Sequence, residues 1–119
     1  MDAANVMGSR PDGWWRDRAG AAARLCDQLR AAVLAGRLPD QTVVVLEGAS
    51  RAGAPEGNRD GIRVAHATGS GDDAIVALAH DAVHAGRPVT VVTADRELRG
   101  RVREAGGEVA GPGWLLGRL

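Results

Sequence analysis

The sequence predicts one α/β domain with a mainly parallel sheet, and two observations predict it. Short runs of β-branched residues alternate with longer stretches in which apolar residues recur every three or four positions. This alternation is typical of repeated strand–helix–strand units. The chain has 119 residues, which is the size of one domain. We therefore expect residues 1–119 to form a single domain without a linker or an internal repeat.

The individual elements follow from periodicity and from their Gly and Pro boundaries. A helix is predicted over residues 16–38, where apolar side chains recur at helical spacing. A continuous apolar run predicts a buried strand over residues 42–46, and the Gly-, Arg- and Pro-rich residues 48–61 predict a loop. The remaining predictions are strands at 62–67, 89–93 and 108–110, helices at 71–86 and 95–106, and a docked segment at 114–116. Residues 3–7 are expected to be partly extended.

The composition limits the classes of partner. Basic and acidic residues number 15 each, so the formal net charge is zero, and any nucleic acid site has to be a local patch. All basic residues are Arg, which suits phosphate contacts, although a GC-rich coding sequence explains the bias more simply. The single Cys26 excludes an internal disulfide and a Cys-rich zinc site. Without a long apolar stretch or a signal-peptide start, we expect a cytoplasmic protein with no membrane partner.

Acidic residues follow the predicted strands at the positions where ligands bind in α/β sheets. Glu47 and Asp95 follow two strands, Asp72 and Asp73 open the helix after a third, and Asp2 would end a first strand if one existed. Carboxylates crowded together repel unless a cation or a proton neutralises them, and Mg²⁺ and Mn²⁺ prefer such oxygen ligands. The chemistry indicated is hydrolysis of a phosphodiester or a phosphoanhydride.

Each of these residues also has a purely structural interpretation. Asp72 and Asp73 favour the positive end of a helix, Asp95 resembles a helix N-cap, and Glu47 fits a solvated loop. The functional hypothesis therefore depends on their convergence.

The His and Trp residues carry weaker signals. His80 and His84 share a helix face and could bind a metal, but a solvated or capping role is the simpler interpretation. His66 is a candidate substrate contact near a strand end. Trp14 and Trp15 either stack on bases or pack the first helix onto the sheet.

Three motifs resemble one known family. Residues 2–6 (DAANV) resemble the DxxN start of the NYN branch of the PIN-like nucleases, which includes YacP-like members. Residues 71–75 (GDDAI) are similar to its (A/G)D-x-x-I helix start, and residues 91–96 (VVTADR) to its VVT-x-D-R strand end. The motifs stand in the family's order and span nearly the whole chain. Residues 8–15 further resemble small actinobacterial proteins of this group.

The resemblance implies a Rossmann-like, PIN-like three-layer sandwich that uses Mg²⁺ or Mn²⁺ to cut RNA. Asp2, Asp73 and Asp95 would be the catalytic metal ligands, and Asp72 an additional ligand. Asn5 would orient Asp2 or contact the substrate.

Other positions are assigned on weaker grounds or depart from the family. Arg51, Arg59 and Arg96 are candidates to hold phosphate. Glu47 stands where the family often has Asp. Family members also carry an apolar strand before the first Asp, and here that strand is truncated, so a chain extended by a few apolar residues is expected to be more stable.

The leading hypothesis is a metal-dependent endoribonuclease. A nucleoside triphosphate pyrophosphohydrolase would use the same acidic residues, and a non-catalytic RNA- or ribosome-binding module would retain them without turnover. The predicted partners are RNA, in free or ribosome-associated form, and a second copy of the chain in a homodimer.

Overall fold

The computed structural model describes residues 1–10, 13–39 and 41–119. It is a compact α/β domain in which strands and helices alternate along most of the chain, so the predicted fold class is confirmed at this level. The helices are α1 (Ala3–Gly8), α2 (Arg18–Leu34), α3 (Gly71–His84), α4 (Arg96–Glu104) and α5 (Pro112–Leu116). The strands are β1 (Thr42–Leu46), β2 (Gly57–Arg59), β3 (Ile62–His66), β4 (Thr90–Val92) and β5 (Glu108–Ala110), and two 3-10 turns cover Trp14–Arg16 and Gly48–Gly53.

The strands form one mixed and one parallel sheet. β1 pairs with β3 in parallel, β2 pairs with the other side of β3 in antiparallel, and β4 pairs with β5 in parallel. A short segment at the start of the chain joins the two sheets. Asp2 forms an isolated parallel bridge with Val45, and its backbone N–H donates to the carbonyl oxygen of Val92 at 3.2 Å. β1 and β4 therefore lie on either side of the segment Met1–Asp2.

Apolar side chains of β1 enter two hydrophobic clusters on its opposite faces. Val44 and Leu46 pack with residues of α1, α2 and α5, whereas Val45 packs with residues of α3 and α4 and with Val91 of β4. Alternate residues of a strand point to opposite faces, so both faces of β1 are covered. This explains why its sequence is continuously apolar rather than alternating.

Most predicted elements are confirmed with shifts at their ends. β1 and β5 have the predicted limits. α2 is shorter than predicted because the carboxylate of Asp17 accepts a hydrogen bond from the N–H of Gly20 and caps its start. After its last turn, Gly36 adopts a left-handed conformation with φ of 77°, which glycine tolerates and which ends helices.

Two predictions of local structure are wrong. Residues 3–7 are helical rather than extended, because the carboxylate of Asp2 caps the start of α1 by accepting from the N–H of Asn5. The segment 48–61 is not only a loop, since it contains a 3-10 turn and the edge strand β2.

The 3-10 turn Gly48–Gly53 packs closely on α2. A Cβ atom at Gly53 would overlap the carbonyl oxygen of Ala19, so only glycine allows this approach.

The two adjacent Trp residues have different environments. Trp14 is partly buried and packs against the cluster that contains α2, while Trp15 is 55% exposed. The packing prediction therefore holds for Trp14.

None of the helices in the described ranges has the length and hydrophobicity that crossing a membrane requires.

Candidate functional site

Four carboxylates from separate parts of the chain converge at the carboxyl ends of the parallel strands. Glu47 follows β1, Asp72 is the second residue of α3, Asp95 caps the start of α4, and Asp2 lies on the bridge between β1 and β4. The negative charges of Asp2, Asp95 and Glu47 all act on Asp72. These four carboxylates therefore lie at the edge that the strand order indicated, near enough for their charges to act on one another.

Asp2 is the most buried member of the group. Its side-chain oxygen Oδ2 accepts a hydrogen bond from the hydroxyl of Thr93 at 2.9 Å, and Oδ1 accepts from the N–H of Asn5 at 3.3 Å. Burial raises the pKa of the Asp2 carboxyl above its ordinary value, and the bonds from Thr93 and Asn5 oppose that rise. The positive charge of the N-terminal amino group also opposes the rise. The hydrogen-bond donors to this buried carboxylate are neutral, so it is a favourable partner for a further cation.

Asp72 shows the mutual repulsion of the group. Its partial burial raises the pKa of its carboxyl, and the charges of Asp2, Asp95 and Glu47 raise it further, while Arg101 opposes the shift. A carboxyl group surrounded by like charges holds its proton more tightly. A bound cation would remove this repulsion, so the site is electrostatically suited to one.

Asp73 occupies a different position from its neighbour Asp72. Its side chain is 73% exposed and pairs with Arg101 at 2.9 Å. Successive residues of an α-helix point about 100° apart, so α3 directs only one of the two carboxylates to the group. The structure places Asp72 there, whereas the resemblance was expected to give the catalytic role to Asp73 and only an additional one to Asp72; the Asp of the (A/G)D-x-x-I pattern itself aligns with Asp72.

Asp95 and Glu47 each bind the start of a helix. Asp95 Oδ1 accepts from the N–H of Leu98 at 2.9 Å, which is the N-cap role that its sequence position predicted. Glu47 Oε2 accepts from the N–H of Gly71 at 2.9 Å, and a Cβ atom at Gly71 would lie only 3.0 Å from Glu47 Cδ. Glu47 is therefore not a free loop carboxylate. Because a carboxylate can accept several hydrogen bonds, these structural roles leave oxygen lone pairs available.

Asn5 connects the segment that carries Asp2 to the loop that carries Asp95. Its side-chain Oδ1 accepts from the N–H of Ala94 at 2.8 Å, so α1 is tied to the loop that follows β4. A shallow pocket of about 330 Å³ lies beside it and is lined by Ala4, Asn5, Gly8, Ser9, Ala94 and Pro112. The position of Asn5 is compatible with both of its predicted roles, orientation of Asp2 and contact with a substrate.

The three candidate Arg residues do not lie together. Arg96 is exposed beside Asp95 at the start of α4, and exposed Arg51 donates its Nε–H to the carbonyl of Gly48 at 3.1 Å, in the turn after β1. Arg59 lies on β2 opposite Ile62, at the amino end of β3. Four residues of strand separate that end from the carboxyl end, a distance of about 13 Å. The structure therefore brings Arg96 and Arg51 to the edge that carries the carboxylates, but not Arg59.

Two further residues belong to this edge and were not assigned a role from the sequence. Thr93 is fully buried, and its hydroxyl both donates to Asp2 and accepts from the N–H of Asp95 at 3.1 Å. Its position between an apolar strand and Asp95 is a sequence feature from which a role at this edge could have been predicted. Arg101, the partner of Asp73, had no such signal, because its contact depends on how α3 packs against α4.

The His residues lie outside the group of carboxylates. The rings of His80 and His84 are 4.1 Å apart on an exposed face of α3 near its carboxyl end. His66 Nε2 bonds to the carbonyl of Ala54 at 2.7 Å, and its backbone N–H donates to Glu56. These bonds give His66 a structural role in holding the preceding loop against β3.

The donor set agrees with the chemistry of Mg²⁺ or Mn²⁺, because every candidate ligand is a carboxylate oxygen. Within residues 1–10, 13–39 and 41–119, no three Asp, Glu, His or Cys side chains are spaced closely enough to hold one ion as they stand. The donors are thus of the right kind, and their spacing is wider than that of a closed three-ligand site.

The chain matches no protein-family model, no curated protein and no solved structure. The functional interpretation therefore depends on the residues and their geometry.

Proposed function

We propose that this chain is a metal-dependent ribonuclease of the PIN-like type, with the Rossmann-like sandwich that the NYN resemblance implies. The observation that carries the proposal is the convergence of Asp2, Glu47, Asp72 and Asp95 at the carboxyl ends of the parallel strands. Ligands of open α/β sheets bind at this edge. The side chain of Asp72 accepts no hydrogen bond within the described residues. A role in capping helices therefore does not explain why it lies near the carboxylates of Asp2, Asp95 and Glu47.

Asp2, Asp72 and Asp95 would hold Mg²⁺ or Mn²⁺, with Glu47 beside them. Asp73 is retained as the alternative to Asp72, because it is the adjacent carboxylate to which the family resemblance was expected to assign the catalytic role. The ion would supply a Lewis acid and an activated water for attack on a phosphodiester. Thr93 holds the Asp2 carboxylate in place, and Asn5 fixes the loop that carries Asp95, so the chain's own residues set the orientation of two ligands.

The exposed side of the site suits a long substrate. Asp95 and Arg96 are exposed at the start of α4, and Arg51 is exposed after β1. Guanidinium groups at this rim would contact the phosphates that flank the cleaved bond. RNA is the substrate we propose. The zero net charge indicates binding through these local contacts rather than through a broad basic surface.

Asp95→Asn tests the proposal. We expect metal-dependent RNA cleavage to fall by at least about 100-fold, since even residues that only support metal ligands contribute about 10–100-fold. Asn is as good an N-cap as Asp, so α4 and the melting temperature should be retained. Asp95→Ala serves as a comparison that loses both the ligand and the cap, at a cost of about 1 kcal/mol in stability. Full activity in a folded Asp95→Asn protein would refute the assignment.

A second candidate function is a binding module without turnover. The observation in its favour is that Asp2, Glu47 and Asp95 each accept a hydrogen bond at the start of a helix, a role that needs no metal. Such a protein would bind RNA or a ribosome, and would bind a divalent cation without cleaving RNA. Cation binding by titration together with intact RNA after long incubation would favour it.

A further inference from the structure

Two histidines of α3, His80 and His84, lie together at the end of the helix that is remote from the carboxylates. They are four residues apart, which places them on the same face of an α-helix, and the centres of their rings are 4.1 Å apart. Both side chains are exposed. Because an α-helix rises about 1.5 Å per residue, His80 lies about 12 Å along the helix from Asp72. The pair is therefore separate from the edge that carries the carboxylates.

Hydrogen bonds within the fold do not account for the two imidazoles. Neither ring takes part in a hydrogen bond within the described ranges, and His80 Nδ1 lies 4.0 Å from Asp81 Oδ1, which is too long for one. The carboxyl end of α3 is closed by backbone groups instead, with the N–H of Ala85 donating to the carbonyl oxygen of Asp81 at 3.0 Å. The capping role that the sequence allowed for these histidines is therefore filled by the backbone.

The spacing of the two rings suits one shared metal ion. A zinc–nitrogen bond is about 2.0–2.1 Å long, so two such bonds join nitrogens that are up to about 4.2 Å apart. With the ring centres 4.1 Å apart, small rotations of the two exposed side chains bring one nitrogen of each ring to the same ion. Two histidines at this spacing on one helix face also hold zinc in metalloproteases.

The charges around the pair favour a cation. His84 lies in the last turn of α3, and the carboxyl end of a helix carries a partial negative charge. The carboxylate of Asp81, which lies between the two histidines in the sequence, adds a full negative charge 4.0 Å from the ring of His80. Both contributions attract a positive ion to this end of the helix.

The kind of donor atom determines which metals fit. Imidazole nitrogen suits Zn²⁺, Ni²⁺ and Cu²⁺, whereas carboxylate oxygen suits Mg²⁺ and Mn²⁺. A site made of two imidazoles therefore selects a different class of ion from the carboxylates at the other end of α3. This difference makes it possible to measure the two sites separately in one protein.

We propose that His80 and His84 together bind one divalent ion of the Zn²⁺, Ni²⁺ and Cu²⁺ class. The ion is held by one nitrogen of each ring, and water fills its remaining coordination positions. It links two successive turns of α3 and so stabilises the helix that carries Asp72 at its other end. The proposal does not depend on the ribonuclease activity proposed above.

Calorimetric titration of the untagged chain with Ni²⁺, in a large excess of Mg²⁺, tests the proposal. The Mg²⁺ occupies carboxylate oxygens and does not compete for imidazole. We expect one Ni²⁺ per chain, and an affinity at least about tenfold lower in His80→Ala and in His84→Ala, because chelation makes the second bond intramolecular. The melting temperature of the unsubstituted chain should rise with Ni²⁺ concentration, and that of the two variants should not.

The matched control keeps the number of histidines and changes only their spacing. The double variant His84→Ala with Ala85→His moves the second imidazole by about 100° around the helix axis, away from His80. It should bind Ni²⁺ as weakly as His84→Ala does. Circular dichroism without metal establishes that each variant is folded, which is expected because these positions are exposed.

Three results would overturn the proposal. Equal Ni²⁺ affinity in the unsubstituted chain and in the displaced pair would show that the two rings do not share an ion. Unchanged affinity in His80→Ala and His84→Ala would assign the ion to other groups. Absence of Ni²⁺ binding in excess Mg²⁺ would leave only the carboxylates as cation ligands. None of these readouts involves RNA cleavage, so failure of this proposal and failure of the proposed function are distinguishable.

Discussion

Asp72→Asn is expected to abolish metal-dependent RNA cleavage, with a loss of at least about 100-fold, while the protein becomes more stable at neutral pH. The carboxylate of Asp72 faces Asp2, Asp95 and Glu47, which raise its pKa together with its partial burial. A carboxyl group whose pKa is higher in the folded protein destabilises the fold as pH rises through and beyond its ordinary value of 3.8. The amide carries no charge, so the stability gain should appear at neutral pH and vanish at lower pH.

Asp73→Asn is the matched control, since it makes the same chemical change one residue away. Asp73 pairs with Arg101 on an exposed surface, and exposed pairs contribute little to stability. The structure therefore predicts nearly full cleavage activity and a small change in melting temperature. The reverse pattern, activity lost in Asp73→Asn and kept in Asp72→Asn, would mean that α3 turns the other carboxylate inward when substrate and metal bind.

Thr93→Val should cost about 1–3 kcal/mol of stability at neutral pH. Val has nearly the same shape as Thr, but it leaves the buried Oδ2 of Asp2 without its donor, and an unsatisfied buried polar group costs about that much. In a domain of this size the melting temperature should fall by roughly 4 °C for each kcal/mol. Thermal unfolding followed by circular dichroism measures the effect.

The pH dependence separates this cause from poor packing. The Thr93 hydroxyl lowers the pKa of Asp2 against the larger effect of burial, so its removal raises that pKa further. The loss of stability should therefore grow as pH rises and shrink as pH approaches 3.8, the ordinary value for Asp. Thr93→Ser keeps the hydroxyl and should keep most of the stability. An equal loss at all pH values would show that the bond to Asp2 is not responsible, and that packing or the lost bond from the N–H of Asp95 accounts for the effect.

The parts of the fold that could be predicted are those with a strong local signal. The continuous apolar run of β1 and the helical spacing of α2 gave elements close to those observed. α1 was not predicted because six residues are too few to show a helical period, and its start depends on a cap from Asp2. β2 was not predicted because Gly57 and Asn58 are poor strand formers, so its pairing with β3 is imposed by tertiary contacts.

The site was predictable to the level of strand ends, but not to the level of individual side chains. Parallel topology places Glu47 and Asp95 at one edge, which sequence order alone indicated. The choice between Asp72 and Asp73 depends on the rotation of α3 about its axis, which the packing of Ile75 and Ala79 decides. Arg59 was misplaced because it lies on β2, an unpredicted antiparallel strand that carries it to the opposite edge.

The most direct test of the central claim is cleavage of a mixed single-stranded and structured RNA by the purified, folded chain with Mn²⁺ or Mg²⁺. EDTA and Asp72→Asn samples and a set of nucleoside triphosphates are measured alongside. The proposed function predicts RNA fragments that require the metal and are lost in both controls. Intact RNA with metal present would contradict it, and release of pyrophosphate from the nucleotides would then assign the same carboxylates to a nucleotide hydrolase.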